Sequence, residues 1–263
     1  MTTQNRTQEM DDHAAEFAAY MNAPWGRLRA DMIEQHIAAH VPAGPLRVLD
    51  AGCGPGVLAA RMGRAGHEVS GVDLSPGMLE QARAAVAAAG VDAEFKQGEL
   101  HELDRAFPAG SFDLVLCHCV IEYVDDVPAA LAGLRRMLAP GGRLSLLVSN
   151  SVARVFKAAV VSRDPAEALA VSARDDQPNS VFATQSRTFR LDQLLPLLDG
   201  AGLSVVETYG VRAFWDLLPR DGADVGGEFY DRMLELELAM SDRSPFRDVA
   251  NYFHVIGAAE PVR

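Results

Sequence analysis

Hydrophobic and polar positions follow two rhythms along this chain. From residue 11 to residue 40 apolar side chains recur at helical spacing, and the run stops before Val41-Pro42-Ala43-Gly44-Pro45, a cluster of breakers that closes a helical N-terminal region. Beyond it, short apolar and β-branched runs alternate with longer amphipathic ones. Strands are predicted over 47–51, 67–73, 93–97, 112–119 and 143–149, and helices over 55–65, 76–89 and 127–138. Gly90 ends the second of these helices and Pro140-Gly141-Gly142 the third. The later chain is less regular. Residues 151–190 read as a long helical or irregular insertion, 191–201 as a helix and 203–214 as a strand. Residues 216–246 form a second insertion with a helix near 229–240, and 251–258 a last strand.

Alternating strands and helices require parallel neighbours joined by right-handed crossovers. The expected fold class is therefore α/β: a Rossmann-like, seven-stranded, mostly parallel sheet with helices on both faces, a helical N-terminal cap and two insertions. The length of 263 residues, 49% of them hydrophobic, suits a single domain with a full core. No run of about 18 apolar residues appears, and Glu9, Asp11, Asp12 and Glu16 near the start do not fit a signal peptide, so a cytoplasmic location is expected. Cys53, Cys117 and Cys119 read as reduced, packed thiols; no metal site is expected, because no second His or Cys pair completes one. The net charge is −12, with Lys96 and Lys157 the only lysines beside 22 arginines. Such a balance disfavours a phosphate-rich partner.

The first strand runs into Asp50-Ala51-Gly52-Cys53-Gly54-Pro55-Gly56. Glycines after a strand let backbone approach a ligand closely, and Asp73, ending the second strand, can accept from two ribose hydroxyls. A dinucleotide site would space its third glycine one residue later. Asp50, just before the loop, suits a cationic ligand such as the sulfonium and ammonium of S-adenosylmethionine better than a diphosphate. The bland alternative makes Asp50 and Asp73 helix-capping acids.

Three segments, Val48-Leu49-Asp50-Ala51-Gly52-Cys53-Gly54-Pro55-Gly56, Gly71-Val72-Asp73-Leu74-Ser75-Pro76-Gly77-Met78-Leu79 and Leu138-Ala139-Pro140-Gly141-Gly142, resemble the successive motifs of class I S-adenosylmethionine-dependent methyltransferases. The resemblance implies that residues 46–150 are the cofactor-binding core, with 1–45 as a cap and 151–190 and 216–246 as an acceptor lid. It implies that Gly52 and Gly54 pass beneath the methionine part, that Asp73 holds the ribose, that Leu74 and Met78 flank the adenine, and that Glu99 and Leu100 meet its edge. S-adenosylhomocysteine would be the product.

Further segments, Trp25-Gly26-Arg27-Leu28-Arg29, His118-Cys119-Val120-Ile121-Glu122-Tyr123-Val124, Gly210-Val211-Arg212-Ala213-Phe214 and Met233-Leu234-Glu235-Leu236-Glu237, are similar to bacterial tRNA carboxymethoxyuridine methyltransferases, which esterify a carboxylate on a wobble uridine. That resemblance implies that Arg29 pairs with the cofactor's carboxylate. It also makes Arg212 a clamp for an acceptor carboxylate or a residue holding the insertion. Where those enzymes carry a lysine cluster this chain reads Ala173-Arg174-Asp175-Asp176-Gln177-Pro178-Asn179, which removes a phosphate-holding element.

The expected function is therefore methyl transfer to a small-molecule acceptor, an indole or other aromatic specialised metabolite being one option. The alternatives are tRNA wobble-uridine carboxylate methylation and a non-catalytic, cofactor-binding regulatory module. No membrane partner is expected, and the chain acts as a monomer or homodimer. His118 and Glu122 are four apart after the fourth strand; on a helix they would share a face, placing His118 on the methionine moiety or acceptor and Glu122 as anchor or base. Tyr20, Trp25, Phe214 and Trp215 are candidates to wall an aromatic acceptor, or are plain core. His254 reads as a satisfied core histidine.

Overall fold

The computed structural model describes residues 11–174, 176–178, 185–218 and 227–259. Parts of the predicted cap (1–10) and of the two insertions (175, 179–184 and 219–226) therefore lie outside the described residues, Asp175 and Asn179 among them.

In chain order the elements are α1 (Ala14–Asn22), α2 (Pro24–Ala38), β1 (Arg47–Ala51), α3 (Val57–Arg64), β2 (Glu68–Asp73), α4 (Pro76–Ala89), β3 (Ala93–Gln97), a 3₁₀ turn (Leu100–Glu102), α5 (Leu103–Ala106), β4 (Phe112–His118), α6 (Val127–Met137) and β5 (Leu138–Ser149). The first insertion gives α7 (Ser151–Phe156), a π-turn (Lys157–Val161), α8 (Pro165–Ser172), β6 (Asp176–Pro178) and β7 (Gln185–Arg187). Then come α9 (Leu191–Gly200), β8 (Leu203–Val211), a 3₁₀ turn (Trp215–Leu217), α10 (Gly227–Met240), α11 (Phe246–Val249) and β9 (Tyr252–Ala259).

Seven strands form one sheet in the order β3-β2-β1-β4-β5-β9-β8, while β6 and β7 make a separate ribbon. Only β9 runs antiparallel within the large sheet. Both faces are covered, which explains why β1 and β4 are apolar without alternation. Val48, Leu114 and Leu116 face α2, α3 and α4. Leu49, Val115, Leu144 and Leu146 face α5, α6 and α9. On α6 the residues Val127, Ala130, Leu131, Leu134 and Met137 are buried at helical spacing; each large one removed from water contributes roughly 2 kcal/mol.

Among the boundaries that differ from the sequence reading, four have a plain backbone reason. The N-terminal helix is two helices, because Ala23 before Pro24 takes an extended conformation (ψ 161°) and Pro24 starts the next one. β4 ends at His118 because Cys119 has φ 57°, and β8 ends at Val211 because Arg212 has φ 63°. β5 begins at Leu138, so Pro140-Gly141-Gly142 lies within the strand at a register shift between Phe112 and Leu114 rather than before it.

Gly56 has φ 74°, and a Cβ there would stand 2.6 Å from the Ala82 Cα of α4. Gly90, with φ 68°, has open space around it. Gly90→Ala should therefore cost about 1 kcal/mol, from left-handed backbone strain alone. Gly56→Ala adds a backbone clash and should cost about 3 kcal/mol or more. Urea unfolding of the two variants measures the difference.

Candidate cofactor and acceptor site

The site lies at the carboxyl ends of β1, β2 and β4, where ligands sit in open parallel sheets. Gly52, Gly54 and Gly56 all have positive φ, which only glycine adopts freely, so the chain leaves β1 in a tight left-handed turn. A Cβ on Gly52 would fall 2.3 Å from Val120 Cγ2, so this backbone and the segment after β4 close on one another. The Asp73 carboxylate accepts from Gly54 N at 2.8 Å and from Ser75 N at 2.9 Å. Ser75 in turn caps α4 by accepting from Met78 N at 3.0 Å.

A cavity of about 370 Å³ opens above this turn. Its floor includes Gly52 and Gly54; Val72, Leu74, Met78 and Leu100 give it an apolar side, and Asp73 and Glu99 a polar one. His118, Cys119, Val120, Tyr123 and Val124 form the wall after β4, and Asp125 and Asp126 stand at the rim with Ala129 and Ala130. Phe17 of α1 completes the lining. Eight predicted cofactor residues thus meet around one space: Gly52, Gly54, Asp73, Leu74, Met78, Glu99, Leu100 and His118.

Of the two acids in this region, Asp50 is buried and Asp73 half-buried. Burial, and then the neighbouring Asp73, pushes the Asp50 carboxyl up to about 7. Burial also raises Asp73, against the lowering effect of the backbone donors Ser75 and Gly54. Neither effect suits an anionic ligand; both are relieved by a cation.

Arg29, Tyr20 and Arg212 gather elsewhere, around Tyr252 at the start of β9. The Arg29 guanidinium lies 5.5 Å from the centre of the Tyr252 ring and the Arg212 guanidinium 5.6 Å. Arg29 donates to Met21 Sδ and reaches Cys119 Sγ at 4.0 Å. Arg212, 4% exposed, donates from Nη2 to Asp216, while its buried Nε and Nη1 have no partner among the described residues. Burial opposes ionisation of the Tyr20 hydroxyl, but Arg212 and Arg29 outweigh it and bring the group below its ordinary value.

The segment after His118 is not helical, so His118 and Glu122 do not share a helix face. The cause is the left-handed Cys119. Glu122 Oε1 accepts from Ser149 N at 2.9 Å and Ser149 Oγ at 3.2 Å, its buried Oε2 has no hydrogen-bond partner among the described residues, and burial pushes the group up to about 7. Trp25 is partly exposed beside Tyr20, with ring centres 6.0 Å apart. Trp215 packs into the core against Tyr230, and Phe214 against Phe246. His254 is fully buried and hydrogen-bonded on both ring nitrogens, as read from the sequence. The sequence reading missed Phe17, Tyr123, Asp125 and Asp126. The paired acids before α6 were the available signal for the last two, since Asp126 caps that helix at 2.9 Å from Ala129 N.

A methyltransferase domain model matches residues 49–146. Over 256 residues the chain is 30% identical to a tRNA 5-carboxymethoxyuridine methyltransferase of Escherichia coli (strain K12), covering 94% of this chain and 95% of that one. The chain belongs to the class I S-adenosylmethionine-dependent methyltransferases. A ubiquinone biosynthesis O-methyltransferase of Xanthomonas axonopodis pv. citri (strain 306) is 35% identical over 130 residues, 49% of this methyltransferase; the match spans about half of that relative, 54% of its length. In fold the enzyme is similar to an S-adenosylmethionine-dependent methyltransferase of Thermotoga maritima, described as a possible histamine N-methyltransferase (TM-score 0.64, 17% identity, 97% of this chain and 100% of that one). The cofactor fits what the site offers: a glycine floor without side chains, an apolar slot with acids at its edge, and near the end of β1 the buried Asp50 carboxyl, whose charged form a cation would favour.

Asp50 is neutral below about pH 7 and gains charge as the pH rises through that value. Attraction for a sulfonium should therefore grow in the same window, and S-adenosylhomocysteine, lacking that charge, should gain less. The affinity ratio of S-adenosylmethionine to S-adenosylhomocysteine should rise about tenfold from pH 6 to pH 8, an effect of about 1.4 kcal/mol. Calorimetric titration of wild type and Asp50→Asn tests this: the variant should show a flat ratio, and an unchanged slope would assign the effect to another group, Glu122 first.

Proposed function

We propose that this methyltransferase transfers the methyl group of S-adenosylmethionine to a small aromatic acceptor that carries an acidic group. The buried Nε and Nη1 of Arg212, without a hydrogen-bond partner among the described residues, carry the reading. A buried guanidinium with idle N–H groups is costly, and a carboxylate or similar anion reaching Nε or Nη1 would relieve it. Burial works against the charge of Arg212, but Asp216 and the nearby tyrosines hold it firmly cationic.

S-adenosylmethionine brings an already activated methyl group, so the protein's task is alignment and the exclusion of water. In this reading Asp50, Asp73 and Arg29 hold the charged and hydroxylated parts of the cofactor, Leu74, Met78 and Leu100 its base, and Glu99 the base edge. Tyr20 and Trp25 face an aromatic acceptor, and Tyr20, acidified by its two arginines, takes the acceptor's proton where there is one. Glu122 organises the wall through Ser149. The cap and both insertions act as one lid over a single domain. Lys157 of the first insertion reaches Asp216 Oδ2 at 3.8 Å, and Asp216 holds Arg212, so both insertions converge on the proposed acceptor anchor.

The near full-length likeness to the Escherichia coli enzyme favours a second reading, a tRNA carboxylate as acceptor. Against it stand the net charge of −12 and a cavity lined by Asp73, Glu99, Asp125 and Asp126 without a lysine or arginine. RNA binders neutralise phosphates with basic side chains.

Incubation with methyl-labelled S-adenosylmethionine and either a small-metabolite extract or tRNA lacking the wobble ester separates the two. Label in small products supports the proposal; label in tRNA alone overturns it. Arg212→Gln should lower kcat/KM for the acceptor by about a hundredfold or more while leaving S-adenosylhomocysteine affinity within about twofold.

A further inference from the structure

From half-buried His118 in the cavity wall a row of buried polar side chains runs by way of α2 to the end of α10. His118 Nε2 lies 2.9 Å from Ser145 Oγ, and Ser145 Oγ 2.7 Å from His254 Nε2. His254 Nδ1 faces His36 Nδ1 at 3.1 Å, and His36 Nε2 lies 3.2 Å from Ser241 Oγ. Ser241 Oγ ends the row on the Leu238 carbonyl at 2.9 Å. Five separate parts of the chain contribute: β4, β5, β9, α2 and the residue after α10.

The direction of donation follows from the ends. A carbonyl only accepts, so the single Ser241 hydroxyl proton goes to Leu238, and Ser241 must accept from an N–H at His36 Nε2. Burial and then neighbouring His40 push His36 down to about 3, and burial, His36 and His118 hold His254 well below its ordinary value, so both rings are neutral. A neutral His36 with hydrogen on Nε2 has a bare Nδ1; His254 therefore donates from Nδ1 and leaves its Nε2 bare. Ser145 gives its proton to that nitrogen and accepts from His118 Nε2–H. His118, pushed down to about 3 by burial and then by Arg29, is neutral too, so its Nδ1 is bare. No hydrogen bond reaches that Nδ1 among the described residues, and His118 lines the cavity. Running the row backwards forfeits the Ser241–Leu238 bond, which favours the stated direction by roughly fivefold.

We propose that Ser145, His254, His36 and Ser241 are positioning residues that hold His118 as the Nε2–H tautomer, so that a bare Nδ1 accepts a hydrogen bond from an N–H or O–H of whatever occupies the cavity. The row ends on a peptide carbonyl that cannot take up a proton, so it sets the tautomer and does not conduct protons out of the site. The proposal rests on the cavity being the cofactor and acceptor site only for what the nitrogen meets, not for which tautomer is present.

Long-range ¹⁵N–¹H correlation spectra of histidine-labelled protein, assigned with His118→Gln, read each ring directly. His118 should show a pyrrole-type Nε2 and a bare Nδ1, unchanged from about pH 5.5 to 8.5; a protonated Nδ1 in the wild type over that range overturns the proposal without recourse to any variant. In His254→Phe the Ser145 hydroxyl turns to His118, and the Nδ1–H form should rise from under about a fifth to the majority. Ser145→Ala, a smaller change, should give a mixture. A folded His254→Phe with His118 unchanged means that His254 is merely structural and also overturns the proposal. Adding S-adenosylhomocysteine gives the final arm. If the cofactor's ammonium is the donor, the Nδ1 resonance moves upfield; if it stays, the donor belongs to the acceptor. Failure of S-adenosylhomocysteine to bind at all counts against the cofactor reading and leaves the tautomer result standing.

Discussion

The Asp73 carboxylate takes one hydrogen bond from Gly54 N and another from Ser75 N, and so ties the turn after β1 to the turn after β2. Everything around the cavity depends on that tie. Ser75 starts α4, α4 presses Ala82 against Gly56, and Gly56 starts α3. The floor of the site is thus the meeting point of two strand-to-helix turns tied together by one half-buried acid. Burial raises the Asp73 carboxyl and the backbone donors hold it down, so a ligand that adds hydroxyl donors finds a carboxylate already oriented.

The layering of the fold was legible because its signals are local. Glycines and prolines punctuate each turn, and apolar runs of four to seven residues mark strands covered on both faces. The boundaries that moved were decided by single backbone conformations that periodicity does not register: the extended Ala23 before Pro24, and the left-handed Cys119 and Arg212. That Gly52, Gly54, Asp73, Leu74 and Met78 line one cavity was legible for the same reason as the fold, since they lie on two consecutive turns. Glu122 was read in the wrong geometry because Cys119 breaks the helix on which the reading depended. The histidine row was invisible, because its members stand 218 positions apart at the His36–His254 contact and meet only once the sheet order is known.

Charge divides the site into two regions. Around the glycine turn the buried groups are acids, and around Tyr252 they are guanidiniums. Cation–π contacts with one tyrosine ring and contacts with sulfur hold Arg29 without a carboxylate partner within 4.0 Å among the described residues, an arrangement that keeps its charge available. Arg212, by contrast, is paired with Asp216.

β9 also governs the order in which the molecule can be assembled. It lies between β5 and β8, and β8 has no other neighbour in the large sheet. β8 therefore leaves the ribosome with nowhere to hydrogen-bond and must wait while some forty further residues are made. Until β9 arrives, carrying Tyr252 and His254, an exposed β5 edge is open to mispairing. The part of the sheet that carries Arg212 and Tyr252 is completed last, after the strands around the glycine turn have had time to form.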